Sequence, residues 1–452
     1  MGLGGFSAVR VSSRRNYWYT AKIMSQNVIR ISPEACTGAA PETVLRSVFG
    51  YESFRPLQKE IITNVLNGRD TLAVMPTGGG KSLTYQIPAL IFDGLTIVVS
   101  PLIALMQDQV SALVANGVNA VFLNSSLDWD SYKASVNDII SGEIKLVYVS
   151  PEGLATQRIQ DILHNENVRV KCFTIDEAHC ISEWGHDFRP DYLGIADVRH
   201  QFPEAVCLAL TATATKRVRD DIAANLRLEH PEILVASFNR PNIFLEVRPK
   251  RDSYGQVVSF LNEHKDESGI IYCFSRKQVD QLTDELSNDG FSVLNYHAGL
   301  SDDVRSKNQT AFIRDKVPLM VATVAFGMGI DKPNVRFVIH YDLPKSLEQY
   351  YQEIGRAGRD GLPSTALLLY SAGDIHKIRY FFEESADSRK DEILLQGMID
   401  YATSRTCRRR QLLSYFGEKL SEEAPDGCCC DVCSAGPLPQ TDVTIPVQKL
   451  LS

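Results

Sequence analysis

The stretch TLAVMPTGGGKSLTYQIP, residues 71–88, joins an apolar run to three glycines, a lysine and a serine, and then to a helix-compatible segment. Gly78, Gly79 and Gly80 let backbone N–H groups turn inward around a phosphate, and the start of the following helix adds partial positive charge. With Thr77 opening the turn, Lys81 can reach the β- and γ-phosphates of a nucleotide and Ser82 can ligate Mg2+. A second run, CFTIDEAHC, stops at the adjacent carboxylates Asp176 and Glu177. A carboxylate at the end of a neighbouring strand is what nucleotide-bound Mg2+ needs, which is the role read for Asp176, directly or through water. Glu177 can then orient and deprotonate an attacking water. A third cluster, Cys407, Cys428, Cys429, Cys430 and Cys433, reads as a metal site. The other five cysteines (Cys36, Cys172, Cys180, Cys207, Cys273) are scattered singly, so the set is not a secreted disulfide framework.

These groups need elements to hold them. Between residues 70 and 214, TLAVMPT, LTIVVSP, KLVYVSP, CFTIDEA and AVCLALTATA are short apolar runs that each end at a turn signal, with helix-like segments between them. Continuous apolar strands alternating with helices predict a parallel sheet covered on both faces, with its ligand crevice at the edge where the polar tails lie. A second series, GIIYCFS, SVLNYHA, LMVATVAF, VRFVIHYDLP and STALLLYS, runs from 269 to 371 and predicts a second such sheet. Pro241 and Pro249 are read as breaks, placing the linker near 236–245. After 371 the pattern is helical and charged and ends in the cysteines. The expected architecture is two α/β lobes with a cleft between them, followed by a small helical tail.

With 452 residues and 44% hydrophobic composition the chain can bury more than one core. A formal net charge of −8 excludes a bulk basic signature, so nucleic-acid binding must come from a local channel. GLTIVVSPLIALM is interrupted by Ser100 and Pro101 and falls short of a membrane span, so no membrane partner is expected. The first 33 residues carry five basic groups and no acidic one. That composition is compatible with an organellar transit peptide, but a flexible tail or a start at Met24 is the favoured reading. The expected location is otherwise the cytoplasm or nucleoid of a bacterium, or a eukaryotic nucleus.

Taken together, GGGKS, DEAH and QEIGRAGRDG resemble the superfamily 2 helicases, and the longer spellings resemble one branch, the RecQ family of DNA helicases, over about residues 43–435. Met75 stands where the strict phosphate loop has glycine, as in the looser helicase form. The resemblance implies two tandem RecA-like lobes, at 43–237 and 238–371, a helical zinc-binding subdomain at 372–436, and an N-terminal extension at 1–42. Residues 437–452 resemble only the start of a winged helix, which would fit a shortened chain, a fragment or a natural short form.

The family pattern also assigns roles. Tyr51 would stack on adenine, Gln58 would hydrogen-bond its edge and Arg55 would reach the nucleotide. Gln352, Arg356 and Arg359 would come from the second lobe; the two arginines, three apart on a helix, would share a face and clamp the γ-phosphate, with Arg359 as arginine finger. Asp331 would touch the ribose or a linking network. HCISEWGHDFRP resembles the family's aromatic-rich loop, in which Trp184 and Phe188 would stack or wedge bases, Arg189 would hold a phosphate, and His179 and His186 would sense the nucleotide pocket. Ser100, Gln107, Ser275 and Arg276 would contact DNA phosphates, each with helix capping or solvation as an equal alternative.

For zinc, Cys407, Cys430 and Cys433 fit the family pattern directly, whereas the usual fourth position is Gly427. Cys429 is the first choice for it and Cys428 the alternative. The function implied is an ATP-dependent 3′-to-5′ DNA helicase acting in repair or recombination, with ATP, Mg2+ and Zn2+ as cofactors. Its partners would be single-stranded and partly duplex DNA, with a single-stranded-DNA-binding protein or other repair proteins. The rival readings are an ATP-switched nucleic-acid scaffold or translocase without unwinding, and an RNA helicase.

Overall fold

The structure is a computed structural model that describes residues 35–436, apart from 125–126, 186, 328–331, 383–387 and 421–428 and the side chain of Ala104. His186, Asp331, Cys428, residues 1–34 and residues 437–452 therefore lie outside the described residues.

Seven strands form the first sheet: β1 (Thr71–Val74), β2 (Leu95–Val99), β3 (Ala120–Leu123), β4 (Leu146–Val149), β5 (Val170–Ile175), β6 (Val206–Thr211) and β7 (Glu232–Val235). Their order is β3-β4-β2-β5-β6-β1-β7, and every neighbouring pair is parallel. All residues of β1, β2, β4 and β6 are buried, the outcome expected when helices cover both faces of a parallel sheet. Since β6 lies between β5 and β1, the segments leaving these three strands share one edge. The phosphate loop, the Asp176–Glu177 pair and the TATAT turn are thus brought together by strand order, from places far apart in the chain.

The second sheet holds β8 (Ile243–Pro249), β9 (Ser268–Tyr272), β10 (Val293–Tyr296), β11 (Leu319–Ala322), β12 (Val335–His340) and β13 (Ser364–Tyr370), in the order β10-β11-β9-β12-β13-β8 and again all parallel. One expectation fails here. NIFLEVRP contributes strand β8, so the segment between the sheets is Ala236–Asn242 and does not extend to 245. Pro241 and Pro249 bracket this strand rather than break it: Pro249 is its last residue, and β8 is the edge strand of the sheet, paired with β13 and, at Leu245, bridged to Cys430.

The helices Ala372–Phe382, Ser388–Thr403, Arg408–Tyr415 and Asp431–Ala435 form a third module against the second sheet. Its packing is aromatic and polar at once. The Tyr350 and Tyr401 rings lie 5.2 Å apart, Phe238 of the linker stacks on Phe416 at 4.4 Å, and the Tyr415 hydroxyl donates to Glu348 Oε1 at 2.6 Å. Val247 N–H donates to Asp431 Oδ2 at 3.1 Å, tying the cysteine segment to β8.

Candidate active site between the two sheets

Gly78 and Gly80 adopt φ of 82° and 78°, the left-handed region in which a side chain is strained. Space is also short: a Cβ on Gly80 would collide with Gln58 Nε2, and one on Gly79 would lie 2.9 Å from the Pro76 carbonyl oxygen. The turn delivers Lys81 to the edge of the sheet, where its Nζ lies 3.8 Å from Glu177 Oε1. Glu177 itself holds φ at 47°, and its N–H donates to Asp176 Oδ1 at 3.0 Å. A non-glycine residue in that region is strained by about 1 to 3 kcal/mol, which the surrounding contacts must offset.

From Glu177 the contacts run inward. His179 is fully buried; its Nδ1 lies 3.3 Å from Glu177 Oε2 and 2.9 Å from Thr211 Oγ1, at the end of β6. Thr211 in turn bonds with Thr213, whose hydroxyl receives Gln352 Nε2 from the second lobe at 3.5 Å. The carboxylate, the TATAT turn and the second lobe are therefore in register through side chains. Asp176 is half-buried beside Glu177; desolvation first and the neighbouring charge second push its carboxyl up, to about 6, while Lys81 and the Glu177 N–H work against the shift.

Of Arg356 and Arg359, the latter alone lies over the phosphate loop. The helix Leu347–Ile354 ends before Arg356, so Arg356 and Arg359 do not share a helix face as expected. Arg356 is buried and donates to the carbonyl of Gly327 within its own lobe. The Arg359 side chain instead lies over the phosphate loop, with its Cγ 3.3 Å from where a Cβ of Gly78 would stand. The turn between the helices Pro41–Phe49 and Gln58–Leu66 also reaches the phosphate loop. Gln58 is buried and engaged at both ends of its amide: it donates to the Gly80 carbonyl at 2.9 Å and accepts from Arg55 N–H at 2.8 Å, while Arg55 donates to the Gly78 carbonyl. Tyr51 is 54% exposed and free in space to stack.

Trp184 and Phe188 are half-buried at the end of the same segment that carries Glu177. One face of Trp184 is covered by the Arg217 guanidinium, 3.1 Å from the ring centroid, an interaction that the sequence reading missed because Arg217 follows TATAT in what reads as an ordinary helix start. Ser182 holds the loop to that helix by donating to Asp221 Oδ2 at 2.7 Å. Arg189 is occupied by Asp187 Oδ2 at 3.0 Å and by the Pro101 carbonyl at 3.1 Å. Ser100 is buried with its hydroxyl facing no partner among the described residues, which keeps it from a phosphate, whereas Gln107 and Arg276 are exposed. Ser275 caps its helix by accepting from Gln278 N–H at 3.2 Å.

In the third module, Cys407, Cys429, Cys430 and Cys433 place their sulfurs within 4.8 Å of one another, with 3.5 Å from Cys407 to Cys429 and 3.8 Å from Cys429 to Cys433. A tetrahedron with Zn–S bonds of about 2.3 Å has edges of about 3.8 Å, so four thiolates in this arrangement fit the ion. Burial opposes ionisation of Cys407, but N–H donors of Arg410 and Arg409 and the neighbouring thiols outweigh it and hold the thiol below its ordinary value. Cys429 is the fourth sulfur of the group among the described residues, outside which the alternative, Cys428, lies.

Two parallel sheets that turn a phosphate loop and an arginine toward each other define the two-lobed helicase class. Residues 55–222 match the DEAD/DEAH box helicase family, 252–361 the helicase conserved C-terminal domain, and 372–434 the RecQ zinc-binding family. An ATP-dependent DNA helicase RecQ of Bacillus subtilis is 43% identical over 421 residues, covering 91% of this chain and 69% of that one. The chain belongs to the RecQ family. Its counterpart in Pasteurella multocida is 48% identical over 412 residues, covering 90% of this chain but 64% of the relative, so the chain spans less than two thirds of that protein's length. The solved structure of S. cerevisiae Dbp5 bound to RNA and ADP BeF3 shares the fold, with a TM-score of 0.61 at 17% identity, over 79% of this chain and 98% of that one.

Two outcomes follow from this geometry. The folded state holds the Asp176 proton up to about pH 6, against about 3.9 when unfolded, so keeping Asp176 in this site costs nothing below about pH 4 and its full amount above pH 6, where it is ionised. Asp176→Asn should therefore stabilise the nucleotide-free protein at pH 7.5, by on the order of 1 to 3 kcal/mol, with the gain vanishing near pH 4; denaturant melts at both pH values check this. Removal of the metal by a chelator, or Cys430→Ser, should abolish stoichiometric zinc and open the chain after residue 371 to limited proteolysis, because zinc binding is coupled to folding of such small modules.

Proposed function

We propose that this chain is an ATP-dependent DNA helicase moving 3′ to 5′ along one strand. The observation that carries the reading is the divided site: Lys81 and Glu177 lie 3.8 Å apart on one lobe, and the Arg359 side chain of the other lies over Gly78. Neither lobe alone surrounds a triphosphate, so a bound nucleotide draws the lobes together and its hydrolysis releases them.

In this reading Lys81 and the backbone N–H groups of Gly78–Gly80 bind the β- and γ-phosphates, and Arg359 meets the charge that develops on the transferring phosphoryl group. Ser82 and Asp176 would hold Mg2+, which when bound neutralises phosphate charge. Glu177 takes the proton of the attacking water, and His179 keeps its carboxylate aligned and passes its position to Thr211. Gln352 reports that position across the cleft to the second lobe through Thr213.

DNA is proposed as the substrate on the RecQ relationship and on the aromatic loop joined to Glu177. Trp184 and Phe188 supply faces for bases and Arg276 a cation for phosphates, so contacts are made to stacking surfaces and backbone without reading sequence. Melting a duplex costs about 1.4 kcal/mol per base-pair step, which makes coupling to hydrolysis obligatory. A single-stranded-DNA-binding protein or another repair protein is the proposed protein partner, on the same relationship.

Lys81→Ala should abolish turnover, and Glu177→Gln should retain ATP binding while stopping hydrolysis; normal steady-state hydrolysis in either variant defeats the site. Trp184→Ala should depress DNA-stimulated turnover at least about tenfold while sparing the DNA-free rate. An equal loss of both rates marks the loop as purely structural.

A further inference from the structure

Arg240 belongs to the seven-residue segment Ala236–Asn242 that joins the two sheets, and its guanidinium bonds to backbone on both sides of the cleft. Nη1 donates to the Thr77 carbonyl of the phosphate loop at 3.3 Å and to the Gly355 carbonyl at 3.4 Å. Nη2 donates to the carbonyls of Ala357 at 2.9 Å and Gly358 at 3.0 Å. Gly355 caps the C-terminus of the helix Leu347–Ile354, where unsatisfied carbonyls attract a cation, and Gly358 immediately precedes Arg359. Two residues along the linker, Asn242 Nδ2 donates to the same Gly358 carbonyl at 2.9 Å and to that of Leu362 at 3.0 Å. The turn carrying Arg359 is thus held by the linker and, through one planar group, joined to the loop over which Arg359 lies.

The linker backbone is itself fixed by the cysteine module. Arg409, beside Cys407, donates from Nη1 to Asn239 Oδ1 at 2.8 Å and to the carbonyl of Arg240 at 2.6 Å, and from Nη2 to the Ile243 carbonyl at 2.7 Å. Its Nη2 also meets the Cys429 carbonyl at 3.5 Å. Further along the module, Glu418 accepts from the Ser237 hydroxyl and the Phe238 N–H, each at 2.6 Å. The linker is gripped on either side of Arg240.

We infer that Arg240 is a positioning residue that sets Arg359 in register with the phosphate loop, and that the cysteine module acts on the nucleotide site by fixing the linker from which Arg240 projects. The guanidinium is suited to the task because its donors are fixed in one plane; a lysine presents a single point charge and cannot span Thr77 and the Gly355–Gly358 turn together. The inference rests on the ATP-hydrolysing reading of the site and deepens it. Arg240 touches no nucleotide phosphate in this scheme; its effect is carried by Arg359.

The test is a double-mutant cycle on the full chain, using DNA-stimulated ATP hydrolysis with zinc content and thermal midpoint measured on every variant. Arg359→Ala should lower kcat by about 10³-fold or more. Arg240→Gln should lower kcat about 10²-fold, the scale of a small misplacement of a catalytic group, with KM for ATP changed by no more than about threefold and zinc retained. In the Arg359→Ala background, Arg240→Gln should cost nothing further, because the group it positions is gone. Arg240→Lys should give an intermediate kcat and supplies the cycle if Arg240→Gln does not fold. Multiplying losses in the double variant, or a raised KM with unchanged kcat, overturns the inference. Full activity of Arg240→Gln beside a crippled Arg359→Ala defeats the positioning role alone, whereas full activity of Arg359→Ala defeats the arginine finger and the inference with it.

Discussion

Lys81 and Glu177 stand at the edge of one sheet, and the arginine that faces them comes from another, joined to the first by seven residues. Most of what the molecule contains answers to that division. A nucleotide bound to the phosphate loop alone lacks the second lobe's guanidinium, so any affinity gained from Arg359 is available only to the closed arrangement. Differential affinity of this kind is the sole means by which a ligand can shift a conformational equilibrium. In the proposed scheme it converts a change at the γ-phosphate into a change in lobe spacing.

The segment from β5 to Arg189 joins that chemistry to a second surface. Its carboxylates are kept at a cost: Asp176 is half-buried with its carboxyl raised, and Glu177 is held in the left-handed region. Local departures of this sort persist where function requires them and the surroundings over-determine them. Here the surroundings are identifiable, since Tyr192 donates to the Asp176 carbonyl at 3.0 Å and His179 is locked between Glu177 and Thr211. The same short stretch then turns Trp184 onto Arg217. A displacement of the carboxylate has a direct covalent path to the aromatic ring.

Much of this was legible in the sequence. The ten quoted apolar runs are strands of two parallel sheets, because strands covered on both faces must be apolar throughout and their ends must be turns. The phosphate loop was readable because three glycines and a lysine leave few other uses. What the sequence hid were contacts made by long polar side chains over large separations. Arg240 sits among prolines and asparagines that read as a linker, yet it meets Thr77, 163 residues away. Arg356 and Arg359 have helical spacing, but the helix ends at Ile354 and the two side chains part. Gln58 and Arg189 are typical ligands by residue type and are committed internally, to Gly80 and to Asp187. Strand β8 was mistaken for linker because prolines mark both its ends, and an edge strand tolerates them.

The most direct test of the account is strand displacement on a 3′-tailed DNA duplex, with the matching RNA duplex beside it and ATP hydrolysis recorded in the same tube. Coupling across the divided site predicts that DNA alone is unwound, with hydrolysis stimulated by DNA and both signals lost together in Glu177→Gln. Hydrolysis that DNA does not stimulate, or unwinding that survives Glu177→Gln, would contradict it.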